Sequence, residues 1–144
     1  MLAMPAVAAS AGFVIFPALA VGLVLAIIEL IFVHADEKGL GWLGHGLHAI
    51  PTMMVFIFVS MNINYALGLA GFSWAKGMWA EVAVRAVVGL IAMGKIAGAA
   101  AIAGRIGEKK FHVLLIGALV MLAPYLWDWF LKSITEQYVP WLAK

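Results

Sequence analysis

The amino-acid sequence predicts an all-α fold: a polytopic membrane protein built as an antiparallel bundle of four transmembrane helices, assembled as a symmetric homo-oligomer. Three observations carry this expectation. Of 144 residues, 66% are hydrophobic and 11% charged, whereas a soluble domain is about 45–50% apolar and about 25% charged. A soluble chain of this size has too much surface for its volume to hide such an excess, and the mean hydropathy is +1.09. Four stretches each supply the ~20 apolar residues that cross a hydrocarbon core. The composition excludes a soluble enzyme, a disordered chain and a nucleic-acid-binding module. With no cysteine, disulfides, thiolate metal sites and thiol catalysis are excluded as well.

The chain reads as a single domain, 1–144, whose first span covers 12–33 (GFVIFPALAVGLVLAIIELIFV). Residues 1–10 carry no Lys or Arg, and their small residues precede the apolar run. The first span is therefore expected to be retained rather than cleaved as a signal peptide. The second span covers 49–71, the third 79–104 and the fourth 111–131, and residues 133–144 form a short interfacial tail. Short connections (HADEKGLGWLGHGLH, FSWAKGM and RIGEKK) make consecutive helices antiparallel neighbours. Trp42, Trp74, Trp79, Trp127, Trp129 and Trp141 all fall near span ends, the level tryptophan prefers. Lys and Arg are almost evenly divided between the two faces, and the orientation taken places both termini outside the cytoplasm.

Lipid offers helices no hydrophobic drive to associate, so small residues mark close contacts. Ala18, Gly22 and Ala26 recur at every fourth position of the first span. Gly94 and Gly98 form GxxxG in the third, extended by Gly89, Ala97 and Ala101. These faces are expected to pack within the bundle and, for so small a chain, between copies.

Ionisable groups inside a span are costly, at ~2.5–3.5 kcal/mol or more on insertion scales. Glu29 continues the Ala18–Gly22–Ala26 face and so points at a packed neighbour. It reads as a carboxylate on a cation or proton pathway, or as a buried carboxyl bonded to a neighbouring helix. Lys95 lies mid-span between Gly94 and Gly98, near the depth of Glu29. An ion pair between the two is the first expectation, with snorkelling or a cationic ring on an anion path as alternatives. Glu81 and Arg85, four apart, suit an intrahelical pair. Ser60, Asn64, Arg85 and Asp128 share a depth and would form a polar vestibule on the terminal side.

All four histidines map to the opposite side. His34, Asp36, Glu37, His45 and His48 supply nitrogen and carboxylate donors of the kind a divalent ion such as zinc accepts. They also suit a pH sensor, and amphipathic histidines at an interface need neither role. No nucleophile–base pair and no nucleotide-binding or hydrolase motif is present.

Three functions follow: a homo-oligomeric channel or transporter for a cation or proton, a non-catalytic subunit of a larger membrane complex, or a membrane enzyme holding a metal on its His/carboxylate face. The partners expected are the lipid bilayer and further copies of the chain.

Overall fold

The computed structural model describes residues 13–36, 41–72, 74, 77–102 and 110–141, and their side chains except at 45 and 99–102. Glu37 and the side chains of His45 and Ala101 therefore lie outside the described set. Every regular element among these residues is helical. Helix α1 is Phe16–Asp36, α2 Gly41–Met61, the short α3 Ile63–Leu69 and α4 Met78–Ile102. Helix α5 is Lys110–Met121, α6 Ala123–Leu126 and α7 Lys132–Tyr138, with a π-helical turn Trp127–Leu131 between the last two.

Two helices, α1 and α2, are long and apolar enough to cross a membrane. A third span is available if Lys110–Met121 and Ala123–Tyr138 are one segment, bent by 72°. Helix α4 has 25 residues but carries Glu81, Arg85 and Lys95. The outward surface is apolar on all four long helices, with Leu23, Ile31, Val55, Leu90 and Leu114 exposed. Such a surface suits lipid rather than water.

The pairing register shows the helix directions. Gly22 faces Met54 and Gly46 faces Leu30, so α1 and α2 run antiparallel. Gly89 faces Met121 and Gly117 faces Met93, so α4 and α5 do too. At this second crossing a Cβ on Gly89 would stand 2.9 Å from the Gly117 carbonyl oxygen. The two backbones approach so closely that each methionine lies over the other helix's glycine. Ala18, Val21, Leu25, Met53, Ile57, Val88, Ala92, Ile116 and Val120 close one core between these pairs.

Several boundaries differ from the sequence reading. The first helix starts at Phe16 rather than 12, with Pro17 in its first turn, where a missing N–H costs nothing. The second starts at Gly41 rather than 49, because the glycine-rich run is helical: Gly46 sits so near Leu30 that a side chain there would collide. It ends at Met61 rather than 71. Asn62 breaks it, and the Asn62 amide holds the non-helical backbone before α1, accepting from Val14 N (2.7 Å) and donating to Val14 O (3.0 Å). The fourth stretch is not one straight helix. Pro124 has no N–H for the Val120 carbonyl, and the chain turns within a few residues. Residues 133–138 of the expected tail are helical, within α7. Trp127 is no interfacial anchor but a core residue, 2% exposed and edge-on to Phe16.

The GxxxG face also differs from expectation. A Cβ on Gly94 or Gly98 would meet nothing within 4 Å. Close packing inside the chain uses Gly89 and Gly117 instead, because these are the positions where α4 and α5 cross.

Candidate functional site

Glu29 and Asp36 lie seven residues apart on α1, two turns along one face. His112, in the first turn of α5, arrives opposite that face because α5 runs against α1. Its imidazole spans the two turns: Nε2 is 2.9 Å from Glu29 Oε2 and Nδ1 is 3.0 Å from Asp36 Oδ2. Phe32, one turn before Asp36, stacks on the ring with centroids 4.9 Å apart and planes at 18°. The His112 and Glu29 side chains are 1% and 2% exposed, and Asp36, at the helix end, 8%.

A neutral imidazole donates through one nitrogen only, and an ionised carboxylate only accepts. With a carboxylate oxygen within hydrogen-bond distance of each ring nitrogen, both an imidazolium between two carboxylates and a neutral ring beside one carboxylic acid satisfy the geometry, and each of these forms holds two protons and a net charge of −1. Removing one partner from so buried a set leaves an uncompensated charge, at a cost of about 3–5 kcal/mol.

Glu29 also lines a cavity of about 170 Å³ together with His48, Thr52, Met53, Phe56, Lys95 and Ile96. That volume accommodates a short file of waters at ~30 Å³ each. Glu29 and Lys95 thus meet the same space, but they do not form the expected ion pair. Among the described residues the partner of Glu29 is His112, which reaches it from α5, while Lys95 is exposed on α4.

A second polar cluster lies toward the other end. Arg85 donates through Nη2 to Glu81 Oε2 (3.2 Å) and through Nε to the Ser60 carbonyl (3.2 Å). Asn64 Nδ2 donates to Glu81 Oε1 (3.2 Å). Ser60 Oγ donates to Val120 O at 2.6 Å, supplying the hydrogen that Pro124 lacks. Ser60, Asn64 and Arg85 therefore come together, with Glu81 as the joint. Glu81 and Arg85 are 5% and 3% exposed, so the cluster brackets α2, α3, α4 and α5 from within. Arg85, whose buried Nη1 has no hydrogen-bond partner among the described residues, borders a cavity of about 480 Å³ lined otherwise by apolar and aromatic side chains such as Trp79, Met121, Tyr125 and Trp129. Asp128 is half-buried on the π-helical turn.

The expected histidine–carboxylate metal group is divided. His34 is edge-on to Trp42, Asp36 is bonded to His112, and His48 lies on the cavity. Among the described residues no group of three or more His, Asp or Glu could hold a metal ion. Glu29 and Asp36 sit on opposite sides of the imidazole, so their oxygens diverge from any common point. The residue missing from the sequence reading of the site is His112. Its signal was topological: an antiparallel fourth segment returns residue 112 to the depth of residues 29–36.

No family model, curated relative or solved structure matches the chain.

Proposed function

We propose that the protein carries protons across a membrane, as a multi-pass bundle of four spans assembled with further copies of itself and with both termini outside the cytoplasm. One observation carries this reading: a buried chain, Asp36–His112–Glu29, runs from the end of α1 to a cavity large enough for water. Imidazole suits the middle place because each nitrogen can bind or release a proton near neutral pH. In the transfer step the His112 Nε2–H bond breaks, an O–H bond forms at Glu29 Oε2, and the ring becomes neutral. Glu29 then releases that proton to the cavity and returns to a carboxylate. The neutral ring then rotates out of its stack and back as it exchanges tautomers, its proton moving from Nδ1 to Nε2. The freed Nδ1 takes the next proton from Asp36, which has picked it up at the end of α1. A buried ring stacked on Phe32 turns slowly, which fits a transporter's rate better than an open pore's.

The Gly94–Lys95–Gly98 face supports assembly. Among the described residues a Cβ on either glycine would meet nothing within 4 Å, and the exposed Lys95 beside them, at the edge of the cavity, is a cation that is costly in lipid unless a partner or water meets it. The same face would serve a different membrane chain, so an accessory subunit is the second reading.

The test is proton uptake into liposomes holding the purified full chain, followed with an internal pH dye while valinomycin clamps the voltage. The expected result is uptake faster than in protein-free vesicles, falling by roughly a hundredfold in Glu29→Gln, the low end for loss of a positioned proton-transfer group. Glutamine keeps the size and hydrogen bonding of Glu29 but releases no proton. Wild-type uptake at the protein-free rate, or unchanged uptake in Glu29→Gln, would overturn the proposal.

A further inference from the structure

Building on the proton-carrying reading, we infer that Lys95 is the selectivity element of the path: its ammonium, on the cavity that Glu29 opens into, keeps metal cations out while protons pass. Charge and ligand supply both point this way. With Glu29 and Asp36 ionised and His112 an imidazolium, the three residues carry a net −1, which Lys95 on the same cavity offsets. In that state these four residues leave no negative charge to offset the lost hydration of a sodium, potassium or calcium ion.

Oxygen ligands are equally short. Calcium takes about 6–8 oxygens, and the other polar side chains on the cavity are Thr52, His48 and Lys95. The Thr52 hydroxyl donates to the His48 carbonyl. Among the described residues no acidic or histidine group could hold a metal ion. Among the described residues the charged groups on the surrounding elements add no surplus of acid. Helix α1 presents Glu29 and Asp36, α2 presents His48, α4 presents Lys95, and α5 presents His112 with exposed Lys110 at its start.

A proton escapes these limits because it travels as a covalent bond. As one leaves Glu29 for the cavity another enters at Asp36, and the charge of the chain is unchanged at the end of the step. A metal ion has no such exchange: it must shed hydration to enter a space with few oxygen ligands, whereas a proton passes along hydrogen-bonded water. Lys95 is well placed for this role. It is exposed between Gly94 and Gly98 and lines the cavity, so its long stem can hold the ammonium over that space.

The experiment compares wild type, Lys95→Gln and Lys95→Arg in the same liposomes, reading proton uptake with the pH dye and sodium uptake as ²²Na in parallel. The expected result is a proton-to-sodium ratio that falls roughly tenfold or more in Lys95→Gln and holds in Lys95→Arg, because a fixed charge and not a shape sets it. A ratio in Lys95→Gln equal to wild type would overturn the assignment, as would a wild type passing sodium as readily as protons. Either result leaves the relay itself standing. A wild type that passes no protons would remove both.

Discussion

Replacing Ser60 by alanine isolates one buried hydrogen bond whose need is created by a residue on another helix. Pro124 has no N–H, so the Val120 carbonyl four residues earlier has lost its helical donor, and Ser60 Oγ replaces it at 2.6 Å. A buried acceptor left unmet costs about 1–3 kcal/mol in soluble proteins, whereas hydrogen bonds between transmembrane helices average ~0.6 and reach ~1.7 kcal/mol. Ser60 is fully buried and its acceptor has no helical alternative, so Ser60→Ala should cost about 1.5 kcal/mol. In a Pro124→Ala background the new N–H returns to Val120, and Ser60→Ala should then cost only a few tenths. The coupling of about 1 kcal/mol between the two sites is the quantity of interest. Unfolding in mixed micelles of dodecyl maltoside and increasing SDS, followed by far-UV circular dichroism, measures all four proteins. An equal cost of Ser60→Ala in both backgrounds would refute the idea that Ser60 compensates for the proline.

Other outcomes follow from the packing. Gly89→Ala should lose about 1–3 kcal/mol by overpacking in the same assay, because the Gly117 backbone cannot withdraw from a new Cβ as a methionine tip could. Gly94→Leu should leave the monomer's stability nearly unchanged, since nothing lies within 4 Å, yet dissociate the assembly on size-exclusion chromatography with light scattering; an unchanged mass would rule out that face as the contact. Arg85→Met should cost about 3–5 kcal/mol by leaving Glu81 buried without its cation, and Glu81→Gln in the same chain should recover most of it, both read by SDS titration. His112→Asn should expose the Glu29–Asp36 face to rearrangement, lowering stability and abolishing proton uptake together, whereas Glu29→Gln, which keeps a hydrogen bond to the ring, should cost less stability than His112→Asn while lowering uptake as far as stated above.

The helical class and the apolar outer surface could be read from the sequence, because a backbone in lipid must satisfy itself within helices or a closed barrel, and the long apolar runs lack the alternation of barrel strands. The buried fate of Ala18, Gly22, Ala26 and Glu29 followed from one periodic face. Harder to read were features set by how helices meet. Gly94 and Gly98 have the familiar spacing, but the α4–α5 crossing falls at Gly89 and Gly117, and a single sequence does not say where two helices touch. The glycines of 41–46 look like a connection until Leu30 is seen pressed on Gly46. Glu29 and Lys95 matched in depth, yet His112 occupied the space on the bonded side of the carboxylate. Depth alone ranks candidates; azimuth around the helix selects between them.

The bend after Met121 has a mechanical consequence. Twelve residues of α5 rise only ~18 Å, against a hydrocarbon layer of ~30 Å. With α5 upright, an arm turned by 72° lies nearly flat and presents Trp129, Phe130 and Tyr138 outward. Lipids beside this flank must shorten to meet a low wall, while those beside α1 need not. The molecule would then tilt and strain with acyl-chain length, making bilayer thickness itself a lever on the contact between α5 and α1 that holds His112 in place.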